Sequence, residues 1–207
     1  MLGATLNINQ YLKRLERELG RVDQAALEKW ADLVYQAWEK GRFVFIMGNG
    51  GSATTASHMS EDLGKSILRK DDLGDESKCR LRVISLTDNV GWITAVGNDL
   101  SYDQIFVQQL MNYGSEGDLV VAISGSGNSP NILNAVNWAN QHDLITFGLT
   151  GYSGGKLKAA QRHGLHVELD DMGMVESVHL CLFHWVLSDI YARINQKGRY
   201  REVNCEQ

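Results

Sequence analysis

The chain has 207 residues, 43% of them apolar, and a formal net charge of −5, a length and composition suited to one domain with a buried core. A mildly acidic chain without any Lys/Arg block interleaved with aromatics lacks the electrostatic footprint of a nucleic-acid binder. Cys79, Cys181 and Cys205 are far apart and outside any CxxC spacing, which points to a reducing compartment, and no leader-like start or apolar run of ~20 residues suggests export or membrane insertion. A cytoplasmic location is therefore expected.

From Ile8 to Leu19 and from Ala25 to Trp38, apolar residues recur at three- and four-residue steps, predicting two amphipathic helices. Gly41 ends the second. The run Phe43 to Met47 is continuously apolar, as in a parallel strand covered on both faces. Further strands are predicted at Leu81 to Leu86, Leu119 to Ile123, Ile145 to Leu149 and, more weakly, Leu165 to Leu169. Helical patterns over Thr55 to Leu68, Gln104 to Tyr113 and Asn131 to Asn140 alternate with them, and such alternation predicts an α/β fold with a parallel sheet. Lys70 to Lys78 reads as a polar surface loop. A last helix, Met174 to Ile194, is apolar around much of its circumference and is expected in a core or an interface. The polar tail beyond Asn195 is expected to fray.

Two loops carry the chemistry. The first strand runs into Gly48-Asn49-Gly50-Gly51-Ser52 and a helix, where glycines let backbone N–H groups approach a ligand. The third runs into Ser124-Gly125-Ser126-Gly127-Asn128-Ser129, with Pro130 placed to open the next helix. Hydroxyls and free N–H groups at such a turn suit a phosphate. Each loop alone could be an ordinary strand-to-helix turn, but two at the carboxyl edge of a parallel sheet mark the ligand edge. Neither has the GxGxxG spacing or the GK[ST] ending of nucleotide loops, so no nucleotide cofactor is implied.

These loops, together with Gly97-Asn98-Asp99, resemble the signature loops of the sugar isomerase (SIS) family, in order and spacing over nearly the whole chain. Within it the likeness is greatest to the heptose-phosphate isomerases, which interconvert sedoheptulose 7-phosphate and D-glycero-D-manno-heptose 7-phosphate. The resemblance implies a doubly wound, five-stranded, flavodoxin-like sheet and a homotetramer. It also implies one SIS domain over 1–207, with N-terminal helices over 7–40, an α/β core over 41–170 and a C-terminal helix over 173–195. Carried over by motif, Asn49, Gly50, Gly51 and Ser52 line the sugar, Asn98 and Asp99 contact its hydroxyls, and Ser124, Gly125, Ser126 and Ser129 hold the phosphate.

Aldose-ketose isomerisation needs a base at one carbon and an acid at the neighbouring oxygen, and a metal can polarise that oxygen. His58 and Asp62, four residues apart on a helix, share a face and can converge on an ion or substrate, or simply hydrogen-bond to each other. On the last helix, Glu176, His179 and His184 stand among apolar residues and need partners. His179 reads as a packed or interfacial histidine. Glu176 and His184, roughly 12 Å of helix rise apart, reach one site only if the helix start bends inward.

The family holds zinc with a His and a Glu from the helix after the first loop and a Gln and a His from the last helix. The resemblance thus implies His58, Asp62, Glu176 and His184 as ligands of one zinc per subunit, with Asp62 as base, His184 as acid and Glu176 also near substrate. Three positions depart from the pattern: Asp62 for Glu, Glu176 for Gln, and Gly173 where the isomerases carry Asp. A non-catalytic SIS protein that binds a replication initiator is the alternative, but such proteins lose the histidine matching His184. The apolar last helix and the Trp30 and Trp38 pattern add an independent expectation of a homo-oligomer.

Overall fold

The structure is a computed structural model that describes residues 1–201; residues 202–207, with Cys205 and the end of the polar tail, lie outside the description. Five parallel strands, β1 (Phe43–Gly48), β2 (Arg82–Ser85), β3 (Leu119–Ser124), β4 (Ile145–Thr150) and β5 (His163–His166), form one sheet in the order β2-β1-β3-β4-β5. This is the doubly wound, flavodoxin-like order. Its topological switch falls between β1 and β3, where the chain leaves in opposite directions, the place at the carboxyl edge where such sheets bind ligands.

The strands read as unbroken apolar runs because each face meets a different core. Val44 and Ile46 of β1 and Leu119, Val121 and Ile123 of β3 pack on one side with α1 (Ile8–Gly20), α2 (Gln24–Glu39), α3 (Gly51–Lys65) and α8 (Met172–Ile194). Phe45, Met47, Val120 and Ala122 point the other way, toward α5 (Val107–Tyr113), α6 (Pro130–Gln141) and α7 (Leu157–Ala160). Period-two side chains fill both layers.

Four expectations change. Trp30 is fully buried and stacks on Phe147 at 5.4 Å between ring centroids, so it belongs to the core and not to a free face. The last strand is His163–His166 rather than Leu165 to Leu169, because Val167 N–H already donates to the carbonyl of the last β4 residue, Thr150, at 2.9 Å. An unforeseen helix, α4 (Val90–Asp99), is capped by Asn89, whose Oδ1 accepts from Trp92 N–H at 3.3 Å, and none of its residues is buried. The tail is docked up to Tyr200: its hydroxyl donates to Asp189 Oδ1 at 2.8 Å, and Arg193 Nε lies 2.8 Å from Asp189 Oδ2.

No helix among the described residues is long and apolar enough to cross a membrane. Cys79 and Cys181 are exposed free thiols.

Candidate active site

The two loops leave β1 and β3, the strands that flank the switch point. After β1, Asn49 leads into Gly50, whose φ of +56° lies in the left-handed region that glycine adopts without strain. Gly51 opens α3, and a Cβ there would overlap the carboxylate of Glu176. The N-terminal end of α8 therefore lays Glu176 against the first turn of α3. A carboxylate suits that place, since the unpaired N–H groups of a helix start favour negative charge. Ser52 is buried behind it.

After β3, Ser124 is buried and folded into its own turn. Its Oγ accepts from Gly127 N–H at 3.1 Å and lies 3.3 Å from Ser129 Oγ. Gly127, at φ +65°, packs so closely on Gly154 that any Cβ would strike that carbonyl. Gly125 is buried, while Ser126 is exposed and its Oγ accepts, among the described residues, only from Asn128 N–H, at 3.3 Å. Ser129 caps α6 without using its hydroxyl on the helix. Of the three serines, Ser126 has the hydroxyl freest to meet a ligand.

The titratable group lies where α3 meets α8. One helical turn on α3 brings His58 Nε2 to 3.2 Å from Asp62 Oδ2, and Ser66 Oγ donates to Asp62 Oδ1 at 3.4 Å. His184 comes across from α8 with its ring 5.2 Å from that of His58. Phe183, fully buried, places its ring 6.0 Å from His58 and 5.3 Å from His184 and so fixes the spacing of the two helices there. One donor atom from each of His58, Asp62 and His184 lies within 4.8 Å of the others, and both imidazoles are exposed.

Glu176 does not join this group. Its carboxylate sits at Gly51 instead, so three of the four expected ligands, His58, Asp62 and His184, come together and Glu176 lies on the side of the Gly50 loop. Asn98 and Asp99 occupy the exposed last turn of α4, where Asn98 Nδ2 donates to Asp99 Oδ1 at 2.8 Å; no hydrogen bond among the described residues ties them to either loop.

His179 is buried as expected. Its Nε2 lies 3.3 Å from the Thr150 carbonyl, and burial pushes its pKa down to about 4. Thr150 Oγ1 in turn lies 3.0 Å from Nδ1 of His166, whose pKa burial also lowers.

Three parts of the site are absent from the sequence reading. Asn131 and Tyr102 both hydrogen-bond to the Asn49 side chain. The loop after β2 joins through Thr87 and Asp88, both bonded to Ser57 of α3. A strand next to β1 at the switch point is the one signal that could have pointed to that loop.

The arrangement is that of a flavodoxin-like α/β protein with two Gly/Ser loops at its switch point, the edge where such sheets bind ligands, and a histidine–carboxylate cluster on the adjoining helices. The chain belongs to the SIS domain family, whose model matches residues 7–151. It is 32% identical over 189 residues to a phosphoheptose isomerase of Bradyrhizobium sp. strain ORS 278, covering 90% of this chain and 92% of the relative. It is 33% identical over 175 residues to a phosphoheptose isomerase of Citrifermentans bemidjiense, covering 84% and 87%. Among solved structures, a phosphoheptose isomerase from Francisella tularensis superimposes with a TM-score of 0.78 at 30% identity, covering 88% of this chain and 95% of that one.

Proposed function

We propose that this chain is an aldose-ketose isomerase that interconverts sedoheptulose 7-phosphate and D-glycero-D-manno-heptose 7-phosphate. The observation that carries the reading is the convergence of His58, Asp62 and His184 just beyond the Gly50 loop, in a chain with phosphoheptose isomerases as relatives over most of its length. Retention of His184 favours turnover over the non-catalytic alternative.

In this reading the Ser124, Gly125, Ser126 and Ser129 turn takes the phosphate with neutral donors, which bind it without the added charge that would slow release. Asn49, Gly50, Gly51 and Ser52 line the sugar, with Glu176 beside them and Asn98 and Asp99 reaching its hydroxyls. Asp62 takes a proton from C1 of the ketose. The C–H electron pair forms the C1=C2 bond of the enediol while the C2 oxygen gains a proton from His184. Returning a proton to C2 and removing one from the C1 hydroxyl completes the aldose.

The donor set also fits a divalent metal. Two imidazoles and a carboxylate within reach of one another match a catalytic zinc site, which uses three protein ligands and keeps a position open. His58, Asp62 and His184 would hold one zinc per subunit through one donor atom each, leaving the second Asp62 oxygen and the second His184 ring nitrogen for the proton transfers, and the ion would supply polarisation of a substrate oxygen.

We further propose a cytoplasmic homotetramer with sites at subunit boundaries. The apolar α4 has no buried residue, and Val90, Leu100, Met111 and Tyr113 around it are at least 47% exposed, an area that a second copy would cover. Light scattering at micromolar concentration should give a tetramer, and a monomer would remove the shared-site proposal.

The test of function is incubation of the purified chain with a panel of sugar phosphates, followed by product analysis. D-glycero-D-manno-heptose 7-phosphate formed from sedoheptulose 7-phosphate is expected, and conversion of another sugar phosphate alone would overturn the substrate.

A further inference from the structure

The Asn49 carboxamide is held so that it can offer a ligand only one kind of hydrogen bond, and the residue that holds it, Asn131, lies outside both signature loops. Asn131 is 1% exposed in the first turn of α6, two residues after Ser129. Its Oδ1 accepts from Ile132 N–H at 2.9 Å. A backbone N–H can only donate, so this bond fixes which end of the Asn131 amide is oxygen. Asn131 Nδ2 must then donate, and it does so to Asn49 Oδ1 at 2.9 Å, while Asn49 Nδ2 returns a bond to Asn131 Oδ1 at 2.9 Å. The Tyr102 hydroxyl donates to the same Asn49 Oδ1 at 3.0 Å.

Asn49 thus has both carbonyl lone pairs filled and one of its two side-chain N–H groups used. The second N–H has no protein partner among the described residues. We propose that Asn131 is a positioning residue that, with Tyr102, locks Asn49 as a pure hydrogen-bond donor aimed at an acceptor oxygen of the substrate, a carbonyl or phosphate oxygen. A freely rotating carboxamide would also present its oxygen, which repels such an acceptor. The paired amides also tie the loop after β1 to the helix that follows the phosphate loop, so the two halves of the crevice keep one spacing. This inference rests on the isomerase reading.

The test is a double-mutant cycle on sedoheptulose 7-phosphate turnover, with thermal midpoints measured alongside. Asn49→Ala and Asn131→Ala should each lower kcat/KM about tenfold, the effect of one well-placed hydrogen bond. Because Asn131 acts through Asn49, the double variant should be no worse than Asn49→Ala alone. Asn131→Asp keeps the acceptor for Ile132 N–H and the shape but cannot donate. A carboxylate buried there costs stability, so kcat/KM is read well below each variant's thermal midpoint, where Asn131→Asp should reproduce the defect of Asn131→Ala; Tyr102, 57% exposed, keeps the test valid if both Asn131 variants fold poorly. Tyr102→Phe should lower kcat/KM about two- to threefold in the same direction. Additive losses in the double variant, or native kcat/KM in Asn131→Asp, would overturn the positioning role while leaving the isomerase reading intact. Absence of turnover in the wild-type chain would overturn that reading, and this inference with it.

Discussion

His179 and His184 stand five residues apart on α8 in opposite surroundings. His179 is sealed under β4, with a backbone carbonyl as its one hydrogen-bond partner among the described residues and a pKa pushed down to about 4. His184 is exposed, one ring away from His58 and, through it, Asp62. A helix presents residues five apart on different faces, so α8 carries one imidazole into the core and the other to the surface beside α3. Burial leaves the first neutral and structural. The second keeps the access that a ligand, a metal or a proton requires.

The sharpest way to break this contrast is on the exposed side. Asp62→Ala removes the carboxylate proposed as base and as one of three metal donors, so turnover of sedoheptulose 7-phosphate should fall by about 10²- to 10⁴-fold. Zinc measured by elemental analysis of protein purified without chelator should fall with it. Full turnover in that variant would detach the chemistry from the cluster.

The buried side should answer to acid instead. With an ordinary value of 6.5 in the unfolded chain and about 4 in the folded one, His179 makes the unfolded state take up more protons between those limits. Stability from this residue is complete above pH 6.5 and is lost as pH falls through about 4, by at most about 3 kcal/mol. His179→Leu should flatten that part of the pH dependence of the thermal midpoint; an unchanged acid slope would contradict the burial argument.

The smallest effect concerns the phosphate loop. Ser126→Ala removes an exposed neutral donor and should weaken sugar-phosphate binding by about 1 kcal/mol, roughly fivefold, without changing the thermal midpoint. Calorimetric titration reads this directly, and unchanged affinity in the folded variant would remove Ser126 from the phosphate site.

What the sequence disclosed follows the same division. The strands and both loops were legible because two-sided burial writes continuous apolar runs and sharp turns write glycine and serine after them. The α4 helix was not, since Gly91, Gly97 and its β-branched residues carry no buried face for periodicity to reveal. Gly164 between two histidines hid the true start of β5. His58 and Asp62 declared themselves by spacing, whereas the place of Glu176 depended on how α8 packs against α3 and on the absence of a Cβ at Gly51. Asn131 and Tyr102 left no local trace at all, because their contacts with Asn49 span 82 and 53 residues of chain.

The most direct test of the central claim, that the exposed cluster on α3 and α8 is the reactive centre, is the initial rate at which His184→Ala converts sedoheptulose 7-phosphate, measured beside the wild type at equal thermal midpoint. A rate at least about 100-fold lower is expected. A rate within twofold of the wild type would contradict it.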